Sequence, residues 1–248
     1  MTVATRARPF ASEAEMAEPM EGLIHRLHGR GEVHAVTSEQ RGALKVPDLV
    51  AATLWDGGPD AGSERRALPL REPHVRVLRA VHSRRPLRLE TVARRTSIAV
   101  DRLKVSVLPA LVGLDLLESR SDGLVRSTGE WTPAFRVLTA VELKLRNWRR
   151  ALHQAFRMQR SVDYSWVVLD SAQAEPARRS ADEFRELGVG LATLNAGTQE
   201  ITVVSRARAV RHTSPWLRDF FAECVLQDAV RSGLLVPQAK VATVNALA

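Results

Sequence analysis

Thr139-Ala140-Val141-Glu142-Leu143-Lys144-Leu145 alternates apolar and charged residues, the period of a half-buried strand. Val141, Leu143 and Leu145 share one face, and Glu142 and Lys144 share the other. An acid and a lysine on an otherwise apolar strand cost free energy unless they are paired or used. The segment from Asn147 to about Arg160 reads as a helix with Trp148, Ala151, Leu152, Ala155 and Phe156 inward. Five arginines, Arg146, Arg149, Arg150, Arg157 and Arg160, meet no acid between 146 and 160. Gln154 sits between Leu152 and Phe156.

Working outward, Ser165 to Leu169 reads as a continuous apolar strand and Ala181 to Leu187 as a short helix. Gly188 to Asn195 reads as another strand, with Glu200 to Ser205 pairing back on it. Trp216 to Val230 has a helical pattern and either covers a sheet face or forms a homodimer interface. Residues 238–248 read as a loose tail. Toward the N-terminus, residues 1 to about 11 read as a basic arm. A helix from Ser12 carries Met16, Met20, Leu23, Ile24 and Leu27 at helical spacing, with Pro19 disturbing it and Gly29 and Gly31 ending it. Glu13 projects onto its apolar face, while Glu15, Glu18 and Glu21 project away. Whether Glu13 joins a site or frays with the helix end is open. Two strands follow, Glu32 to Ser38 and Leu44 to Leu54, around a turn at Gln40-Arg41-Gly42. The second holds Pro47-Asp48, where proline suits a strand start.

Asp56-Gly57-Gly58-Pro59-Asp60-Ala61-Gly62 reads as a linker. After it come a helix from Pro73 to Ser83, a short one from Leu89 to Arg95, a turn at Thr96-Ser97-Ile98, and a third helix from Ala99 to Val112. Leu103, Val107, Ala110 and Leu111 form the core side of that third helix, and Pro109 predicts a late kink. A hairpin turns at Asp122-Gly123. Three helices and a hairpin over about 72–128 resemble a winged helix-turn-helix. Residues 71–126 hold 12 Arg and Lys against 6 Asp and Glu. By that resemblance Arg94, Arg95, Arg102 and Lys104 face DNA, and Arg120 and Arg126 on the wing contact phosphates. A protein-docking module with solvated arginines is the alternative.

Composition bounds the rest. The chain has 248 residues, 45% apolar and 26% charged, which is globular rather than disordered. A formal charge of +8 and a pI of about 10.8 favour a polyanionic partner, most simply nucleic acid. The single cysteine, Cys224, excludes an internal disulfide framework and a thiolate zinc site. The seven histidines show no zinc spacing, and there is no G-x-S-x-G or G-x-x-x-x-G-K motif. No 18-residue apolar run exists and the first ten residues lack an apolar signal region, so no membrane partner is expected and the location expected is the cytoplasm, with nucleoid association open.

Pro47-Asp48 on one strand, Glu142-Leu143-Lys144 on the next and a helix bearing Gln154 resemble the PD-(D/E)XK phosphodiesterases, the restriction-endonuclease-like family that includes Holliday junction resolvases. The resemblance implies an α/β, restriction-endonuclease-like core, a mixed central sheet flanked by helices, with an inserted winged-helix domain. It implies Asp48 and Glu142 as ligands of Mg²⁺ or Mn²⁺, Lys144 serving the attacking water, and Gln154 and Glu13 completing the catalytic set. The interval from Asp48 to Glu142 is 94 positions (142 − 48), far longer than the family's short hairpin. Excising about 56–135 restores it. The division expected is therefore core 1–55, insertion 56–135, core 136–236 and tail 237–248. The function implied is a Mg²⁺-dependent endonuclease on duplex or branched DNA. The alternative is a non-catalytic DNA-binding regulator or architectural protein on the same scaffold.

Overall fold

The computed structural model describes residues 9–29, 32–38, 47–55, 70–82, 85–120 and 122–235. The expected turn at 40–42, the linker at 56–62, the tail at 238–248 and all but the last residues of the N-terminal arm lie outside the described residues. Along the chain, α1 (Ala14–Leu23) continues as a 3-10 turn, Ile24–Arg26, and is followed by β1 (Ala35–Ser38) and β2 (Leu49–Leu54). Then come α2 (Glu72–Ala80), β3 (Leu87–Arg88), α3 (Leu89–Thr96) and α4 (Val100–Arg102). A π-helical turn, Leu103–Val107, joins α4 to α5 (Leu108–Gly113), and β4 (Leu117–Ser119) and β5 (Leu124–Ser127) follow. The last third holds β6 (Phe135–Lys144), α6 (Trp148–Met158), β7 (Tyr164–Asp170), α7 (Glu175–Arg179), α8 (Ala181–Leu187), β8 (Gly190–Leu194), β9 (Ile201–Ser205) and α9 (Pro215–Arg231). No helix among the described residues is long and apolar enough to cross a membrane.

The chain divides into two compact units, 1–54 with 135–214, and 55–134 with 215–248. The first unit is a mixed six-stranded sheet flanked by helices, in the order β1-β2-β6-β7-β8-β9. β6, β7 and β8 run parallel, and the outer pairings are antiparallel. Parallel strands are covered on both faces, which explains why Ser165 through Asp170 are all buried. Val141, Leu143, Trp166 and Val168 face α1 through Met16, Met20 and Ile24. Val167, Leu169 and Leu191 face Trp148, Ala151, Leu152 and Phe184 on the other side. Each fully buried methionine or leucine in these layers contributes about 2 kcal/mol. Gly190 opens β8 because its Cα lies against the Trp166 ring, leaving no room for a Cβ. Gly188 is not part of the strand: it ends α8 in the left-handed region, at φ 70°.

The second unit packs its helices on a three-stranded antiparallel sheet, β3-β5-β4. Its core holds Val75, Leu78, Val92, Leu103, Val107 and Leu111. The kink expected at Pro109 takes the form of the π-helical turn, with Leu108 N–H reaching back to Leu103 O. Pro109 lacks an N–H and its ring would strike the carbonyl four residues back, so the turn widens. Ala110 is consequently only half-buried, and Leu108 is buried in its place.

Two expectations are corrected. Phe156, read as inward, is 44% exposed. The C-terminal helix, assigned to the core segment 136–236, instead belongs to the second unit, where it packs on α2. Arg79 Nε lies 3.4 Å from Asp219 Oδ2, Trp131 Nε1 donates to Glu223 Oε1 at 3.3 Å, and the Arg76 guanidinium lies 4.3 Å from the Trp216 ring centre. The buried side of α9 thus includes Arg218, Asp219 and Glu223. Leu217, Phe221, Ala222, Val225, Leu226 and Ala229 are buried beside them, so hydrophobic periodicity marks the helix but not the unit it packs on.

Candidate functional site

β2 and β6 are antiparallel neighbours, with Leu49 opposite Val141. That register sets Asp48, just before β2, beside Glu142. The Asp48 carboxylate extends the ladder past the end of β2: its Oδ2 accepts the Leu143 N–H at 2.6 Å. Glu142 and Lys144 point to the sheet face opposite Val141 and Leu143, as alternation requires.

Lys144 is the centre of the cluster. Its Nζ donates to Glu13 Oε2 at 2.9 Å and to the Leu143 carbonyl at 2.8 Å. It lies 3.2 Å from Glu142 Oε1 and 3.8 Å from Asp48 Oδ2. Three carboxyl groups from three separate parts of the chain therefore surround one ammonium. Their exposures differ: the Glu142 side chain is 5% exposed, Lys144 14%, Asp48 38% and Glu13 45%. Two half-exposed acids, Asp48 and Glu13, thus meet one buried acid, Glu142, through Lys144.

Burial pushes the Glu142 carboxyl up to about 7, the charge of Asp48 adds to the rise, and Lys144 opposes it. Burial acts to lower Lys144, but its bond to Glu13 and the charges of Asp48 and Glu142 outweigh that and raise it. Lys144 is thus held as an ammonium, whereas Glu142 is balanced between its two forms near neutral pH. Such perturbed groups within one cluster are typical of functional sites.

Gln154 on α6 makes no hydrogen bond with these four residues. Its Oε1 is buried without a hydrogen-bond partner among the described residues. Among the described residues, no three His, Cys, Asp or Glu side chains converge as a ready-made metal cage. Arg146, Arg149, Arg150, Arg157 and Arg160 are all exposed, and none forms a salt bridge among the described residues. Other surface arginines are paired, as in Arg179–Glu175, Arg185–Asp182 and Arg231–Asp228. Arg149 rests 4.3 Å over the Trp148 ring, which limits its motion.

In the second unit Arg94, Arg95, Arg102 and Lys104 are exposed. Arg95 donates to the Ala80 carbonyl at 3.2 Å. The hairpin arginines are engaged: Arg126 with Glu118 at 2.6 Å and Arg120 with Asp122 at 3.4 Å. Cys224 is half-buried, and its thiol is pushed up to about 11 by burial and by Asp228 and Glu223, which leaves it a poor nucleophile.

A second polar cluster in the first unit, at the other end of β2 and β6, carried no sequence signal. Thr53 Oγ1 donates to the Glu32 carbonyl at 2.7 Å and so accepts from His28 Nε2 at 2.5 Å. His28 is therefore the Nε2–H tautomer. Nearby, Asp163 accepts the Leu138 N–H at 2.8 Å and pairs with His212 Nε2 at 3.0 Å.

No family model matches the chain, and neither a curated protein nor a solved structure does.

Proposed function

We propose that the first unit is a metal-dependent phosphodiesterase of the PD-(D/E)XK type acting on DNA, and that the second is a winged helix-turn-helix that delivers it there. The observation carrying this reading is the meeting of Glu13, Asp48 and Glu142 around the Lys144 ammonium, with Nζ within 4 Å of all three carboxylates. A surface ion pair gains little from such convergence, and a buried acid with a raised pKa is unfavourable for the fold. A site built at that cost is best explained by use.

The donors suit a hard divalent cation. Asp48 and Glu142 supply carboxylate oxygens, and Mg²⁺ or Mn²⁺ needs only one or two of these beside water and substrate oxygens. Gln154 Oε1, on the helix packed against the same sheet, is a further neutral oxygen with no hydrogen-bond partner among the described residues. When bound, the metal would polarise the phosphate and acidify a bound water. The chain's own residues do the rest. The Leu143 N–H fixes the Asp48 carboxylate. Lys144, kept protonated, orients a water or donates to negative charge developing on the phosphate. The arginines around α6, which form no salt bridge among the described residues, neutralise the backbone of the bound strand.

A second reading has one observation in its favour. Lys144 is fully engaged by its neighbours, so the cluster also works as an internally neutralised scaffold, and the protein would then bind DNA without cutting it. Incubation with supercoiled plasmid and Mg²⁺ or Mn²⁺ separates the two. The phosphodiesterase reading expects nicked and linear products, and the scaffold reading expects a mobility shift alone.

A further inference from the structure

On α6, four residues spaced 4, 3 and 4 apart form one stripe: Arg149, His153, Phe156 and, in the turn beyond the helix, Arg160. All four are exposed. Arg150 and Arg157 flank the stripe, and the helix carries no acid. Phe156 lies between His153 and Arg160, one turn from each. Its ring is 44% exposed although the opposite side of the same helix is well packed through Trp148, Ala151, Leu152 and Ala155.

Four arginines that form no salt bridge among the described residues and one exposed phenyl ring thus share this face. Both features suit one ligand. An unpaired nucleic-acid strand offers phosphates to the cations and a flat base face to the ring, and aromatic stacking needs a base freed from its neighbours. A continuous duplex offers phosphates but no free base face.

We infer that the outward face of α6 holds an unpaired DNA strand, with Phe156 as a stacking platform for one base and Arg149, Arg150, Arg157 and Arg160 on its phosphates. This rests on the DNA-directed reading above and narrows its substrate class to DNA with a single-stranded or splayed segment, such as a flap or a branch point.

Fluorescence anisotropy on the full-length protein tests the inference with two labelled probes, a 20-nucleotide oligo-dT and an abasic strand of the same length and charge. Wild type is expected to bind oligo-dT on the order of tenfold more tightly than the abasic strand. Phe156→Ala is expected to bring oligo-dT binding down to the abasic level and leave abasic binding unchanged, while Phe156→Trp restores the preference. Equal wild-type affinity for both probes would overturn the stacking role while leaving the basic face in place. A preference that survives Phe156→Ala would overturn the assignment to Phe156. Failure of wild type to bind either single strand while it still shifts a duplex of the same length would overturn this inference alone, and failure to bind the duplex as well would overturn the DNA-directed reading.

Discussion

Asp48 Oδ2 accepts the Leu143 N–H at 2.6 Å, joining residues 95 positions apart. The bond makes this aspartate part of the β2–β6 ladder as well as part of the charged cluster. Asp48→Ala should therefore lower stability by about 1–2 kcal/mol, the usual loss for a bond to a charged acceptor at a partly exposed site. Asp48→Asn, which keeps an acceptor oxygen, should lose less. Urea denaturation of both variants measures this, and only Asp48→Asn is then a clean probe of chemistry. Equal losses in both variants would show that the hydrogen bond is not the source.

Glu142 should make stability fall as pH rises. Its folded pKa, about 7, lies above the ordinary 4.5, so the folded state holds the proton more tightly. Its contribution is fully present below about pH 4.5 and is lost as pH climbs through 7. Glu142→Gln removes that dependence. The difference in urea midpoint between wild type and variant, measured without metal from pH 4.5 to 8, should shift steadily in favour of the variant. A constant difference across that range would contradict the raised pKa.

His28 should act with the opposite sign. Burial lowers its pKa from 6.5 to about 4, because protonation would place a charge on a buried ring whose Nε2–H is already committed to Thr53. Its contribution is present above pH 6.5 and is lost as pH falls through 4, on the order of 3 kcal/mol in full. His28→Gln keeps a donor for Thr53 and should flatten the acid limb of the stability profile. The same limb in wild type and variant would mean that His28 is not the group titrating.

Arginines differ in how free they are to meet phosphate. Arg157 forms no salt bridge among the described residues, whereas Arg126 is held by Glu118 at 2.6 Å. Arg157→Ala should reduce the salt slope of DNA binding by about one unit. Arg126→Ala should reduce it by much less. Binding isotherms at four or five salt concentrations decide this, and equal reductions would count against the distinction.

Much of the larger sheet was legible because its signals are local. The alternation in β6 put Glu142 and Lys144 on one face, and the continuous apolar run in β7 marked a strand buried on both sides. The Asp48–Glu142 pairing was reachable only through a family resemblance, since no local pattern reports a strand partner 94 positions (142 − 48) away. Glu13 was harder still. It meets Lys144 across 131 positions through a side-chain bond that no periodicity encodes. Phe156 was misread because a phenyl ring is normally buried, and the α9 partner was misread because an apolar stripe does not report which element it packs against. His28 and His212 carry no spacing signal at all, since their partners, Thr53 and Asp163, lie 25 and 49 positions away in sequence.

The most direct measurement is single-turnover cleavage of a synthetic four-way junction and supercoiled plasmid in Mg²⁺ or Mn²⁺, run with wild type, Asp48→Asn and Lys144→Ala after each is shown to fold and bind DNA. Cleavage by wild type, lost in both variants at unchanged binding, is the expected result. Binding without cleavage by wild type in either metal, or cleavage that survives both substitutions, would contradict the assignment of a phosphodiesterase site to Asp48, Glu142 and Lys144.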